Sequence, residues 1–172
     1  MAISKKLGQN YESIRAAARF KTIKVNLNDL DFELKVRVPV KREMEEIMAA
    51  VANPDAAIVD RIYGELSSPL LKSINVAGAG FIEALNEGGE KVKVLDDDII
   101  VDGNSIRKVA QLSAIWQTQV ERYFSLLQSA TGEPINESFE EISEEFPDAI
   151  VKEIVDKIDA AIRPNYGEAR KN

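Results

Sequence analysis

The sequence predicts an α+β fold: a mainly α-helical domain with an N-terminal antiparallel β-hairpin and a second, short hairpin. Three observations carry that expectation. Apolar and polar residues alternate from Thr22 to Val38, the period of a half-buried strand pair. Apolar residues at three- and four-residue spacing fill most of the chain from Val40 to Leu85 and from Ser105 to Ile162. Between those stretches two short apolar runs bracket Asp96-Asp97-Asp98.

The elements follow in order. Residues 1–21 are polar and basic, with Lys5, Lys6, Arg15, Arg19 and Lys21 against Glu12 alone. They are expected to form a loosely docked arm. In the hairpin of residues 22–38, Ile23, Val25 and Leu27 share one face, and Phe32, Leu34, Val36 and Val38 are expected to face the helices. Asn28-Asp29 supplies the turn, and Pro39 ends the second strand. Helices are expected over residues 40–85. Val40, Met44, Ile47, Met48 and Val51 make one apolar stripe. Asn53 before Pro54 and Ser68 before Pro69 are each expected to start a helix. Gly78 and Gly80 weaken the continuation that Phe81, Ile82 and Leu85 resume, and Glu87-Gly88-Gly89-Glu90 breaks it.

The second hairpin is expected over residues 91–102. Asn104 or Ser105 then caps the longest helix, about Ser105 to Ser129, with Val109, Leu112, Trp116, Val120, Tyr123 and Leu127 on its buried side. Ser138 and Glu141 have capping-box spacing. Pro147 opens a last helix that buries Ile150, Ile154, Val155, Ile158 and Ile162. Residues 22–163 are thus expected to form one domain, followed by a polar tail of residues 164–172.

Composition narrows function. The chain has 172 residues, 45% hydrophobic and 30% charged, enough for a sizeable core. Its 22 basic and 29 acidic residues give a net charge of −7, which offers nucleic acid or an anionic membrane no global attraction. It has no Cys and no His, so thiolate chemistry and the commonest general base and zinc ligand are missing. No apolar run approaches the roughly 20 residues of a membrane helix, and MAISKKLGQN lacks a signal-peptide core. A non-enzymatic protein of a reducing compartment, without cofactor or metal, is the expectation.

Each candidate site also has a structural reading. Asp96, Asp97 and Asp98 could hold Mg²⁺ or Ca²⁺, but consecutive strand residues point alternately, and a solvated turn explains them. Gly78-Ala79-Gly80-Phe81 lacks the preceding strand and third glycine of a dinucleotide loop and the Lys of a P-loop. Glu140, Glu141, Glu144 and Glu145 are either a solvated helix face or a docking surface for a basic partner. Glu133 to Asp159 holds ten acids against two lysines, a net of eight negative charges. Met44 and Met48 beside Ile47 are either core or a plastic binding groove.

Several segments together resemble the tail assembly chaperones of long-tailed, siphovirus-type bacteriophages. They are Ser13-Ile14-Arg15-Ala16-Ala17-Ala18 before a strand, and Phe32-Glu33-Leu34-Lys35-Val36-Arg37-Val38-Pro39 leading into a Glu-rich helix. The Trp116 helix, Glu144-Glu145-Phe146-Pro147 and Ile162-Arg163-Pro164-Asn165-Tyr166 complete the pattern. The resemblance implies a non-enzymatic chaperone that holds the tape measure protein soluble and recruits tail tube protein. It implies a location in the host cytoplasm, absence from the mature virion, and no catalytic residues. It also implies a longer form made by a programmed ribosomal slip. Arg170-Lys171-Asn172 can be encoded by the adenine-rich run that such a slip uses. Self-association is compatible with the same role. The alternatives are a virion structural subunit, such as a head–tail joining or tail-completion protein, and a metal-dependent hydrolytic enzyme at Asp96–Asp98.

Overall fold

A computed structural model of the chain describes residues 13–14, 17–78, 80–87, 89 and 91–163. The first twelve residues of the expected arm, Gly88 and Glu90 of the expected break, and the tail of residues 164–172 lie outside the described residues. So do Arg170, Lys171 and Asn172. The fold is α+β and mainly helical, with two small antiparallel sheets. Contacts group the chain into two compact units. The first takes residues 1–48 and 119–172, and the second Ala49–Thr118.

In the first unit, β1 (Phe20–Leu27) and β2 (Leu30–Arg37) form the expected hairpin. Asn28 and Asp29 both take positive φ, 52° and 65°, which is the two-residue turn whose twist matches paired strands. Pairing of Ile23 with Leu34 and of Val25 with Phe32 puts the alternating apolar residues on one face. Val25 and Val36 are fully buried there, whereas Leu34 and Phe32 are half-buried. The strand begins at Phe20, inside the stretch expected as arm, and Val38 N–H donates to the Arg19 carbonyl at 2.6 Å.

A third strand, β6 (Leu127–Gln128), pairs with the free edge of β2. The helix expected to reach Ser129 therefore stops at Phe124. Arg37 N–H donates to the Leu126 carbonyl at 2.8 Å, and Leu127 lies opposite Val36. Pairing β2 on both sides satisfies backbone groups that a longer helix would leave open. Leu127 is buried as expected, but as a strand residue.

Two further helices follow β6 in this unit. α5 (Phe139–Glu145) starts with the expected capping box: Ser138 and Glu141 bond each other's backbone N–H. α6 (Asp148–Ile162) follows Pro147 and buries Val151, Ile154, Val155, Ile158 and Ile162, while Ile150 is only half-buried. α6 packs along β1. Its Lys157 Nζ donates to the Lys24 carbonyl, and Lys21 Nζ on the strand donates to the Ala161 carbonyl at 2.7 Å. Tyr123 is buried and its hydroxyl donates to Asp159 at 2.6 Å. Burial first, and that carboxylate second, push the Tyr123 phenol up to about 12.

α1 (Lys41–Ala52) begins in the first unit. Only Ile47 of its expected stripe is buried; Met44 and Met48 are half-buried and Val40 is exposed. Asn53 is not the next cap, because its Nδ2 donates back to the Ala49 carbonyl at 3.3 Å. Asp55 accepts from Ala57 N–H at 2.9 Å instead and starts α2 (Ala56–Ala77).

α2 belongs to the second unit and runs through Ser68-Pro69, where a new helix was expected. The Ser68 hydroxyl, which was to cap that new helix, donates to the Gly64 carbonyl at 2.6 Å and stays within the old one. Gly78, at φ 76°, ends α2, and a short α3 (Gly80–Leu85) follows. The expected second hairpin is β3 (Val92–Val94) with β4 (Ile99–Val101), and β5 (Asn104–Ser105) adds a third strand. Asn86 holds the start of β3, accepting from Lys91 and Val92 N–H and donating to the Val92 carbonyl.

α4 (Ile106–Phe124) leaves β5 directly. Its buried side in this unit is Ala110 and Ala114, packed with Ile58, Val59, Ile62 and Tyr63 of α2. Val109 and Leu112, expected inside, are exposed. Two small residues sit in the seam with α2, and the larger neighbours turn outward. Trp116 is half-buried.

One prediction concerns the hairpin. Because Leu34 is half-buried and not enclosed, Leu34→Ala should cost about 1 kcal/mol, below the cost of a fully buried leucine. Lys35→Ala, on the other face and exposed over the Phe20 ring, should stay within about 0.5 kcal/mol. Urea midpoints measure both, and equal losses would contradict the facing described above.

Candidate functional site: an acid-rimmed apolar groove

In the first unit a half-open groove of about 640 Å³ lies beside α5. Its floor is apolar. Leu34 comes from β2, Phe124 and Leu127 from around the end of α4, Ile135 from the loop after β6, Ile142 and Phe146 from α5 and its cap, and Ile154 from α6. The Phe124 and Phe146 rings stand 6.3 Å apart at 57°, a tilted aromatic pair that stiffens one wall. Glu137, Glu141, Glu144 and Glu145 line the rim. No lysine or arginine occurs between Glu133 and Asp148, so the rim carries one sign of charge.

Three of the four expected contact acids, Glu141, Glu144 and Glu145, therefore meet at one groove; Glu140 is not among its lining residues. Glu141 also caps α5. Hydrogen bonds with the Ser138 backbone and side chain hold its carboxyl below the usual carboxylate range. Glu137 was not singled out in the sequence, and only its place in the loop before the capping box could have suggested it.

Met44 and Met48 do not line this groove. On the same helix, Ile47 faces a smaller, polar hollow of about 350 Å³ with Glu43, Glu46, Arg122 and Ser125. Glu43 is held by Arg37, whose two terminal nitrogens bond its two oxygens. That bidentate pair lowers the Glu43 carboxyl and raises the Arg37 guanidinium.

In the second unit the three aspartates have separate fates. Asp98 accepts from Arg107 N–H at 2.9 Å, from the Ser105 hydroxyl at 2.5 Å and from Ile99 N–H at 2.8 Å. It is a cap for α4 supplied from the hairpin turn. Ser105 Oγ adds the expected cap on Lys108 N–H at 2.9 Å. Burial pushes the Asp98 carboxyl up, but the three hydrogen bonds together outweigh it and hold the group low. Arg107 clamps the turn: it donates to the Asp97 carbonyl, pairs with Asp60 at 3.1 Å and stacks 4.3 Å over Tyr63. The Asp96 and Asp97 side chains are exposed. Among the described residues, no three Asp or Glu side chains converge as a metal site.

This arrangement gives a graded expectation. Asp98→Ala should cost about 1–2 kcal/mol, the usual worth of a helix cap. Asp97→Ala should stay within about 0.5 kcal/mol. Trp116 fluorescence in urea reads both, since the only tryptophan lies in this unit. A carboxyl held low stabilises the fold only while ionised. The Asp98 difference should therefore be full near neutrality and shrink as pH falls through the carboxylate range. Loss of a stoichiometric divalent ion on Asp97→Ala would restore the metal reading.

The chain matches no protein-family model, no curated protein and no solved structure. Among the described residues, no helix is long and apolar enough to cross a membrane.

Proposed function

We propose that the chain is a tail assembly chaperone of a long-tailed bacteriophage. In this reading it has no catalytic role and works in the host cytoplasm. It keeps the tape measure protein soluble until tail tube subunits assemble around it, and it is absent from the finished virion. The sequence resemblance supplies the reading, and the acid-rimmed apolar groove supports it. A holder of a long partner needs apolar contact area on a body whose charge keeps the complex soluble. The groove provides the first and the net charge of −7 the second.

Co-expression with the tape measure protein encoded nearby tests the reading. The tape measure protein should stay in the soluble fraction with the chain and precipitate without it. Equal precipitation in both cases defeats the proposal. Purified particles should lack the chain, and a persistent stoichiometric copy there would favour a head–tail joining or tail-completion subunit instead. The codons for Arg170-Lys171-Asn172 test the slip: an adenine-rich run is expected.

A further inference from the structure

The groove is apolar where a partner would seat and acidic where it would enter. Several helix acids elsewhere pair with cations one turn away: Glu45 with Lys41, Glu46 with Arg42, Glu65 with Arg61, Glu153 with Lys157, Asp159 with Arg163. Glu144 and Glu145 have no such cation, because none exists in this stretch of sequence. They also sit in the last turn of α5, where negative charge opposes the helix dipole. Their placement therefore does not serve the helix. Glu137 stands on the same rim from the preceding loop.

We infer that this groove docks a protein segment that presents a few large apolar side chains flanked by Lys or Arg. The apolar side chains would cover the half-buried Leu34, Ile135 and Phe146, and the flanking cations would meet Glu137, Glu144 and Glu145. Charge complementarity selects this occupant. A wholly apolar segment would leave the carboxylates without partners, and an acidic one would be repelled. The inference deepens the assembly role and rests on it for the partner's identity, although the chemistry of the groove stands on its own lining.

The test uses the full chain and two labelled model peptides of about 14 residues, roughly four helical turns. One carries Leu on one face and Lys on the other; the second replaces Lys by Glu. Binding is followed by fluorescence anisotropy at low and high salt. The Leu/Lys peptide should bind and the Leu/Glu peptide should not. The combined variant Glu137→Gln, Glu144→Gln, Glu145→Gln should weaken Leu/Lys binding about tenfold at low salt, with the difference closing at high salt. A control with equal charge loss, Glu83→Gln, Asp96→Asn, Asp97→Asn, should leave it nearly unchanged. Phe146→Ala should weaken it at both salt concentrations.

Equal weakening by rim and control variants would reduce the effect to net charge and overturn the inference. So would a concentration-dependent dimer of the free chain that Phe146→Ala abolishes, because the occupant would then be a second copy. Failure of the two readings is separable. If the rim variant still holds the tape measure protein in full, the groove is not its seat and the assembly role survives. If the native chain binds the Leu/Lys peptide yet never holds the tape measure protein, the assembly role fails and the groove keeps its chemistry.

Discussion

Ile158→Ala should lower the stability of the first unit by about 2–5 kcal/mol. Ile158 is fully buried on α6, and α6 packs along β1, where Val25 is equally enclosed. The truncation removes three carbons from a packed interior. The polar bonds from Lys157 to Lys24 and from Lys21 to Ala161 pin helix and strand on either side of Ile158, which limits collapse around the cavity. Hydrogen exchange of the β1 and β2 amides is the measurement, since it reads this unit by itself. Exchange unchanged from the native chain would mean that α6 does not hold the sheet.

Pro69→Ala should act in the opposite direction and stabilise the second unit by about 1–3 kcal/mol. Pro69 sits inside α2, where it has no N–H to give and its ring crowds the carbonyl one turn back. The residue is exposed, so alanine forfeits little packing. Ser68 to Gly64 and Ser73 to Pro69 hydroxyl bonds supply donors around the interruption, and both remain available to the variant. The urea midpoint followed by Trp116 fluorescence should rise. A fall would show that the fold depends on the break that proline makes in the hydrogen-bond ladder of α2.

Pro69 also shows where local sequence signals mislead. Ser-Pro is a sound helix start when nothing else competes, yet here one 22-residue helix runs through it. Propensity is a weak prior beside tertiary packing. Elements whose signals are local and redundant were legible. The strand alternation from Thr22, the Asn28-Asp29 turn, the Ser138–Glu141 box and the stripe of α6 all appear where the sequence puts them.

Elements defined by distant partners were not legible. Leu127 fits a helical stripe in sequence, and only the free edge of β2, some ninety residues earlier, makes it a strand. Asp98 reads as one of three solvated acids until Arg107 and Ser105 are brought to it. The acids of the groove could be picked out because they are clustered along the chain. Its floor could not, because Leu34, Phe124, Ile135, Phe146 and Ile154 come from separate segments.

The first unit is discontinuous, and that order has a consequence for synthesis. Ribosomes release chain from the N-terminus, so the β1–β2 hairpin is complete long before α6 exists. At roughly 5–20 residues per second, its apolar face waits on the order of ten seconds for the helix that covers it. The second unit, Ala49–Thr118, is contiguous and emerges whole within that interval. Val25 and Val36 are thus on view to the cell's own holdases, or to an early partner, during every round of translation. The window closes only once α6, down to its last turn at Ile162, has left the ribosome.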